Sequence, residues 1–378
     1  MSVNFLSYVP YYVAQDVLAR PDQLNLGVES RFDAVTLFAD VSGFTAMSEA
    51  LGRSGKRGTE ELTQILNSYF DPMIDLVKSY GGVIGKFGGD AMTIMFPYTE
   101  ATRADAVRRG LRCALDMQRD MVNYAAIQTS QGVYGIAMKA GLGMGNIYTT
   151  IIGDPDVRLE FIIAGKPIDD CADAEHHATR GEVVTHNDLL AYAPDAIIAE
   201  DRDGFSLISE LTEPVEFAPL DPLPEVSEAA VDVFRHYVHP VIAERLNRDS
   251  NEFIDEYRRA TVLFVSFTEF NYDDDPTIGD TLQTYFDAII NIVHRYDGYV
   301  NKIDMGDKGS KFIVLFGTPT AHEDDEERAL RCALEISEVH GIRTRIGVNT
   351  GEVYAGRVGS AIRQEYTVMG DTVNLSAR

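Results

Sequence analysis

LNSYFDPMIDLVKSYGGVIGKFGGDAMTIMF (Leu66–Phe96) recurs later in the same chain as LQTYFDAIINIVHRYDGYVNKIDMGDKGSKFIVLF (Leu282–Phe316). Self-similarity on this scale marks a duplicated structural unit, and the repeat extends outward on both sides. FDAVTLFADVSGFT (Phe32–Thr45) pairs with RRATVLFVSFTEF (Arg258–Phe270), and RCALDM (Arg112–Met117) with RCALEI (Arg331–Ile336). MKAGLGMGNIYTTIIGD (Met138–Asp154) pairs with RIGVNTGEVYAGRVG (Arg345–Gly359), and EFIIAGKPIDDCADA (Glu160–Ala174) with EYTVMGDTVNLSAR (Glu365–Arg378). The order is the same in both halves.

Within the repeat, Leu62, Ile65, Leu66, Tyr69, Phe70, Met73, Ile74 and Val77 recur at intervals of three and four, which predicts an amphipathic helix. The β-branched and aromatic runs Val35–Phe38 and Ala260–Val265 predict strands. Each copy reads as strand, helix, a hairpin around a GGD or MGD turn, helix, then further strands. This is the split βαβ order, so the expected fold is α+β with two ferredoxin-like (βαββαβ) domains. Pro214, Pro219, Pro222 and Pro224 discourage both strand and helix and mark the joint. The expected organisation is an N-terminal helical segment (1–30), a first domain (31–212), a linker (213–257) and a second domain (258–378). FLSYVPYYVAQDVLA reads as a short amphipathic helix broken by Pro10 that covers the first domain. The first copy continues past its last match through EVVTH and the strand-like GFSLIS, so the second copy reads as cut short at Arg378. An insert in the first copy, Gly52–Glu60, reads as a lid or a tolerated loop.

A length of 378 residues suits two domains, and 45% apolar with 24% charged residues suits a chain that buries real cores. The formal charge of −26 repels nucleic-acid backbones and anionic lipid, which excludes both as partners. An acidic chain that binds a nucleotide needs divalent metal and a few well-aimed cations. Cys113, Cys171 and Cys332 lack any C-x-x-C spacing and read as buried free thiols. No run of about 18 apolar residues and no secretory leader is evident, so membrane insertion is not expected and the chain reads as cytoplasmic. A P-loop hydrolase is excluded as well, because GRSGKRG lacks both the spacing and the hydroxyl of that motif.

Two carboxylates stand at strand ends in the first copy: Asp40 after a predicted strand, and Asp90 in the GGD turn. Neighbouring strand ends would join them into a set of hard oxygen ligands suited to magnesium. The residues after Asp40, Val-Ser-Gly-Phe-Thr, include Phe44 and Thr45 and form a turn whose amides and hydroxyls suit a phosphate. The second copy carries Ser266 at the position of Asp40, and its Asp307 follows Lys302 by five residues, where Asp90 follows Lys86 by four. It offers instead Lys302, Thr367, Asn374 and Arg378; opposite the last three, the first copy has Ile162, Asp169 and Asp173. The two copies carry complementary equipment.

ADVSGFT, KFGGDA, NKIDMGDKG, EYTVMGD and VNLSAR together resemble the tandem catalytic domains of class III adenylyl cyclases, above all the soluble, bicarbonate-responsive branch. The resemblance covers nearly the whole chain. It implies two cyclase domains packed head to tail as a pseudo-dimer, with one composite site converting ATP to 3′,5′-cyclic AMP and pyrophosphate. It implies Asp40 and Asp90 as ligands of two Mg2+ (or Mn2+), with Phe44 and Thr45 at the ATP phosphates. Lys302 and Thr367 match the pair that reads adenine, Asn374 the residue that orients the ribose, and Arg378 the one that stabilises the reacting phosphate. A lysine donating to N1 and a hydroxyl accepting from the exocyclic amine suit adenine, whereas guanine would prefer an acidic partner.

Lys139 matches a family lysine near the triphosphate, and equally reads as a snorkelling surface lysine. On the pseudo-symmetric side a second pocket is implied, where Lys86 matches a lysine that holds bicarbonate. Ala172 stands where the partner arginine is expected, leaving a lone point charge. Two complementary domains in one chain imply a monomer. Two alternatives stay open: a guanylyl cyclase, and a non-catalytic or weakly active nucleotide-binding regulatory module, the latter because an arginine at a chain end is prone to fraying.

Overall fold

The computed structural model describes residues 5–247, 255–268, 270–305 and 309–378. The N-terminal segment is a 3-10 turn (Phe5–Tyr8) and α1 (Tyr11–Ala19), with Pro10 capping α1. The first domain then runs through β1 (Glu29–Ser42), α2 (Phe44–Gly52), α3 (Lys56–Ser79), β2 (Val83–Gly88), β3 (Ala91–Tyr98) and α4 (Arg103–Met121). It continues with a small hairpin, β4 (Ile127–Thr129) and β5 (Gly132–Tyr134), then β6 (Ala137–Asp154), β7 (Arg158–Ala164), α5 (Lys166–His176), β8 (Val183–His186), β9 (Ala196–Asp201) and β10 (Phe205–Leu211).

β1 lies between β3 and β6, with β2 at the outer edge, which gives the antiparallel ferredoxin-like order β2-β3-β1-β6. On its side away from β1, the long β6 serves two neighbours: its first half pairs with β8 in parallel and its second half with β7 antiparallel. The eight apolar positions that predicted a helix all lie buried along α3. The Gly52–Glu60 insert is neither lid nor loop. It forms the end of α2, a tight turn and the start of α3, and Gly58 is needed there because a Cβ would approach Leu51 O to 1.9 Å.

The segment after the four prolines is not all irregular, since α6 (Glu228–Arg235) and α7 (Pro240–Asn247) follow them. Ser227 caps α6 by accepting from Ala230 N. The second domain contains β11 (Glu256–Phe267), α8 (Ile278–Arg295), β12 (Tyr299–Asp304), β13 (Ser310–Phe316), α9 (Asp325–Ser337), β14 (Thr344–Gly359), β15 (Gln364–Met369) and α10 (Asp371–Ser376). Its sheet order, β12-β13-β11-β14-β15, repeats that of the first domain strand for strand.

The domains pack head to tail about a pseudo-two-fold axis: α3 lies on β14, and its counterpart α8 lies on β6. Thr63 on α3 shares a 3.0 Å hydrogen bond with Tyr354 on β14, while Gln283 on α8 bonds both N–H and C=O of Gly153 on β6. The cores interlock accordingly. Tyr354, Val358 and Met369 enter the core of the first domain, and Tyr148, Ile152, Ile162 and Ala164 enter that of the second. Fully burying side chains of this size contributes roughly 1.5–3 kcal/mol each, so the interface is part of the fold. A third cluster joins the N-terminal segment (Phe5, Val13, Val17) to α6 and α7 (Phe234, Ile242) and to strands of both domains. The N-terminal segment thus bridges the two domains, where the sequence led us to expect a cover on the first alone. All three cysteines are buried free thiols, as expected. No helix among the described residues is long and apolar enough to cross a membrane.

Candidate active site

A cleft of about 270 Å³ runs along the interface, lined in part by β2 and β3 of the first domain and β12 and β13 of the second. From the first domain it is lined by Asp40, Phe44, Thr45, Lys86 and Asp90, and from the second by Lys302 and Asn374. Asp40 is near the end of β1, and Asp90 follows the Gly88-Gly89 turn between β2 and β3. Adjacent strands therefore deliver both carboxylates to the same end of the sheet. Burial, reinforced by the negative charge of Asp40, pushes the Asp90 carboxyl up to about 7, and Lys302 offsets only part of this. A half-buried acidic pair in that state fits a divalent cation, whose charge removes the repulsion. Among the described residues no cluster of three or more His, Cys, Asp or Glu could hold a metal. With two protein carboxylates, most coordination positions would fall to water and phosphate oxygens, as magnesium prefers.

Gly43 ends the turn after Asp40 with φ 110°, and a Cβ there would meet Gly135 O at 2.4 Å, so only glycine fits. That turn delivers Phe44 and Thr45 to the start of α2. From across the interface, Asn374 on α10 donates its amide to Thr45 Oγ1 at 3.2 Å. Lys302 also crosses the interface, donating to the Phe87 carbonyl at 2.8 Å and lying 3.9 Å from Asp304.

Three sequence-derived residues are not among those lining the cleft. Thr367 is 1% exposed and donates to Asn301 Oδ1 at 3.1 Å, although its neighbours Val368 and Met369 line the wall. Lys139 sits opposite Asp40 in the β1–β6 pair but turns its ammonium to the buried Glu175. Arg378 is exposed just beyond α10, next to Ala377, which does line the cleft. Asp307 lies outside the described residues.

On the pseudo-symmetric side, the buried Lys86 is paired with Glu160 and sits 4.0 Å above the Phe161 ring. Ala172 lines the same wall and brings no charge. Ser266, the counterpart of Asp40, pairs with Lys311 across β11–β13, and Lys311 lines the cleft. A cation thus occupies this wall where the first domain offers carboxylates, which disfavours metal there.

Sequence reasoning missed two arginines. Arg158 donates to the carbonyls of Val300 (3.0 Å) and Asn301 (2.8 Å) across the interface and pairs with Glu160. Arg363 donates to the carbonyls of Ile84 (3.3 Å) and Gly85 (2.9 Å) and pairs with Glu365. Each guanidinium grips the residues just before a cleft lysine, Lys302 in one case and Lys86 in the other. Both strands carry a bulge at that point. The available signal was Arg-x-Glu, present in both copies as RLEF and RQEY.

The family model for the adenylate and guanylate cyclase catalytic domain matches residues 28–193 and 254–378. Adenylate cyclase type 10 of Homo sapiens is 28% identical over 92% of this chain, and that of Rattus norvegicus 30% identical over 92%. The chain spans about a quarter of the length of these relatives, 24% in both. Among solved structures, a class III adenylyl cyclase-like ATP-binding protein from Pseudomonas aeruginosa matches 99% of this chain and 89% of its own. Its TM-score is 0.60 at 12% identity, a likeness of fold.

Proposed function

The chain belongs to the adenylate and guanylate cyclase catalytic domain family, and from that premise we propose that it converts ATP to 3′,5′-cyclic AMP and pyrophosphate in the interface cleft. The observation that carries this reading is the meeting of Asp40 and Asp90 with Lys302 and Asn374, from opposite domains, in one cleft. Asp40 and Asp90 would hold two Mg2+ or Mn2+. When bound, the ions supply Lewis acidity to the ribose 3′-hydroxyl and offset charge on the triphosphate.

The turn at Phe44 and Thr45 receives the phosphates with backbone amides and a hydroxyl. Asn374, already bonded to Thr45, orients the ribose so that its 3′-oxygen faces the α-phosphorus in line. The 3′-hydroxyl gives up its proton to water, the new 3′-O–P bond forms as the bond between the α-phosphorus and its bridging oxygen breaks, and pyrophosphate leaves. Arg378 adds a donor fork to the phosphorus centre as charge shifts. Lys302 donates to adenine N1 and Thr367 accepts from the exocyclic amine. Lys139, opposite Asp40 across the β1–β6 pair and ion-paired with Glu175, is the further cation assigned near the triphosphate.

Both halves of the site lie in one chain, so a cytoplasmic monomer suffices. Bicarbonate is the weaker reading for the second pocket: Lys86 is already ion-paired with Glu160, which it shares with Arg158, and Ala172 stands where a bidentate arginine is expected. A second reading, nucleotide binding without efficient turnover, draws on one observation, that Arg378 is not among the residues lining the cleft. Product analysis with ATP and GTP separates these readings. Cyclic AMP from ATP supports the first, cyclic GMP as the main product overturns the base assignment, and bound but unconverted ATP favours the second.

A further inference from the structure

Asn301 is the bulged residue of β12, directly before Lys302, and is 2% exposed. Its carbonyl and both ends of its side-chain amide are committed. Its carbonyl accepts from Arg158 at 2.8 Å, its Nδ2 donates to the Tyr366 carbonyl at 2.9 Å, and its Oδ1 accepts from the Thr367 hydroxyl at 3.1 Å. A carbonyl can only accept, so Tyr366 O fixes which end of the amide is nitrogen. The oxygen end then takes the Thr367 proton.

We propose that Asn301, anchored from the opposite domain by Arg158, is a positioning residue that sets base specificity by fixing Thr367 Oγ1 as a hydrogen-bond acceptor. A hydroxyl whose proton is already given away offers only lone pairs to a second partner. Lone pairs match the 6-amino group of adenine, a donor, and oppose the 6-oxo group of guanine, an acceptor. Asn301 thereby joins the two residues assigned to the base, one through its side chain and the other through its backbone. The proposal rests on the base assignment made above.

The first domain lacks the whole device. The counterpart of Asn301 is Gly85, where a Cβ would meet Ile163 Cδ1 at 2.5 Å, and the counterpart of Thr367 is Ile162. The arginine clamp and the bulge persist on both sides, but the amide and hydroxyl occur only beside Lys302. A purely structural role for the bulge does not require them.

The test compares the Kd of 3′-deoxyadenosine triphosphate with that of its analogue bearing hydrogen at position 6, by calorimetry with Mg2+ on the full chain. Neither nucleotide has the attacking hydroxyl, so binding is read without turnover. The intact chain should prefer the amino nucleotide by about tenfold, the worth of one well-made hydrogen bond. Asn301→Ala should bring that ratio close to one, Thr367→Val should do the same, and the double variant should add nothing further. A ratio unchanged in Asn301→Ala, with both nucleotides weakened alike or not at all, overturns the proposal. So does an intact chain that binds the two equally or binds neither. Turnover of ATP, assayed in parallel, decides the cyclase reading separately: a ratio that responds to Asn301 in a chain without turnover would sink that reading and keep this one.

Discussion

The amide of Asn374 in the second domain donates to the hydroxyl of Thr45 in the first across 3.2 Å. Thr45 follows the turn after Asp40, and Asn374 is on α10 next to Val373, which packs into the shared core cluster. This hydrogen bond joins the half of the cleft that carries carboxylates to the half assigned to the ribose. Relative motion of the domains would break it, so the spacing of the two halves and the positioning of substrate are coupled.

Asn374→Ala should therefore lower turnover by about a hundredfold, the scale of losing one positioning contact at a reacting group. Its side chain is exposed, so the melting temperature should stay nearly unchanged. Steady-state kinetics beside a thermal melt would check both, and a large fall in melting temperature would recast Asn374 as a structural residue.

Asp90 makes metal binding depend on pH. Burial, with the neighbouring Asp40 charge, pushes its carboxyl up to about 7 from an ordinary 3.8. A raised folded-state pKa contributes stability that is fully present below the unfolded value and is lost as pH rises through the folded one. From the ordinary carboxylate range up to about pH 7 the metal-free chain should therefore lose stability as pH rises. Asp90→Asn should remove that slope, and Mn2+ at pH 8 should restore stability to the natural chain alone. Below pH 7 the proton competes with the ion, so metal affinity should weaken by about tenfold per unit.

Glu160 accepts from both Lys86 and Arg158 in a buried setting. Glu160→Ala leaves the buried Lys86 and the part-buried Arg158 without their carboxylate and should cost about 3–5 kcal/mol in denaturant unfolding. Lys86→Met in the same chain should recover part of that loss. With Glu160 in place, activity should be flat against bicarbonate at fixed pH, and a rising dose-response would show that the anion displaces the carboxylate.

Arg363 grips Ile84 and Gly85 from the second domain. Arg363→Ala removes two interdomain hydrogen bonds and leaves Glu365 unpaired, so it should also cost about 3–5 kcal/mol. Because the domains share cores, unfolding should remain a single transition. Two resolved transitions would mean that the halves are stable apart.

The repeat made the architecture legible: apolar spacing identified α3, and the pairing of segments anticipated two sheets with the same strand order. Asp40, Asp90, Lys302 and Asn374 were readable because each stands in a motif at a strand or helix end, where a side chain has few ways to point. The ion pair of Lys139 with Glu175 was not, since strand position alone does not reveal which carboxylate a lysine meets. Arg158, Arg363 and Asn301 act on backbone carbonyls or on another side chain of the opposite copy or strand. Such partners are set by packing between domains, which no local spacing encodes. The helices α6 and α7 were obscured by the proline-rich run before them, and their burial depends on the N-terminal segment more than two hundred residues away.

The most direct measurement is the rate of cyclic AMP formation from ATP with Mg2+ or Mn2+, in the chain as it stands and in Asp40→Ala and Asp90→Ala. The composite-site account predicts turnover in the natural chain and a loss of at least about a hundredfold in each variant, with folding retained and GTP a poor substrate. Turnover that survives either substitution, or a natural chain that binds ATP with metal and releases it unchanged, would contradict it.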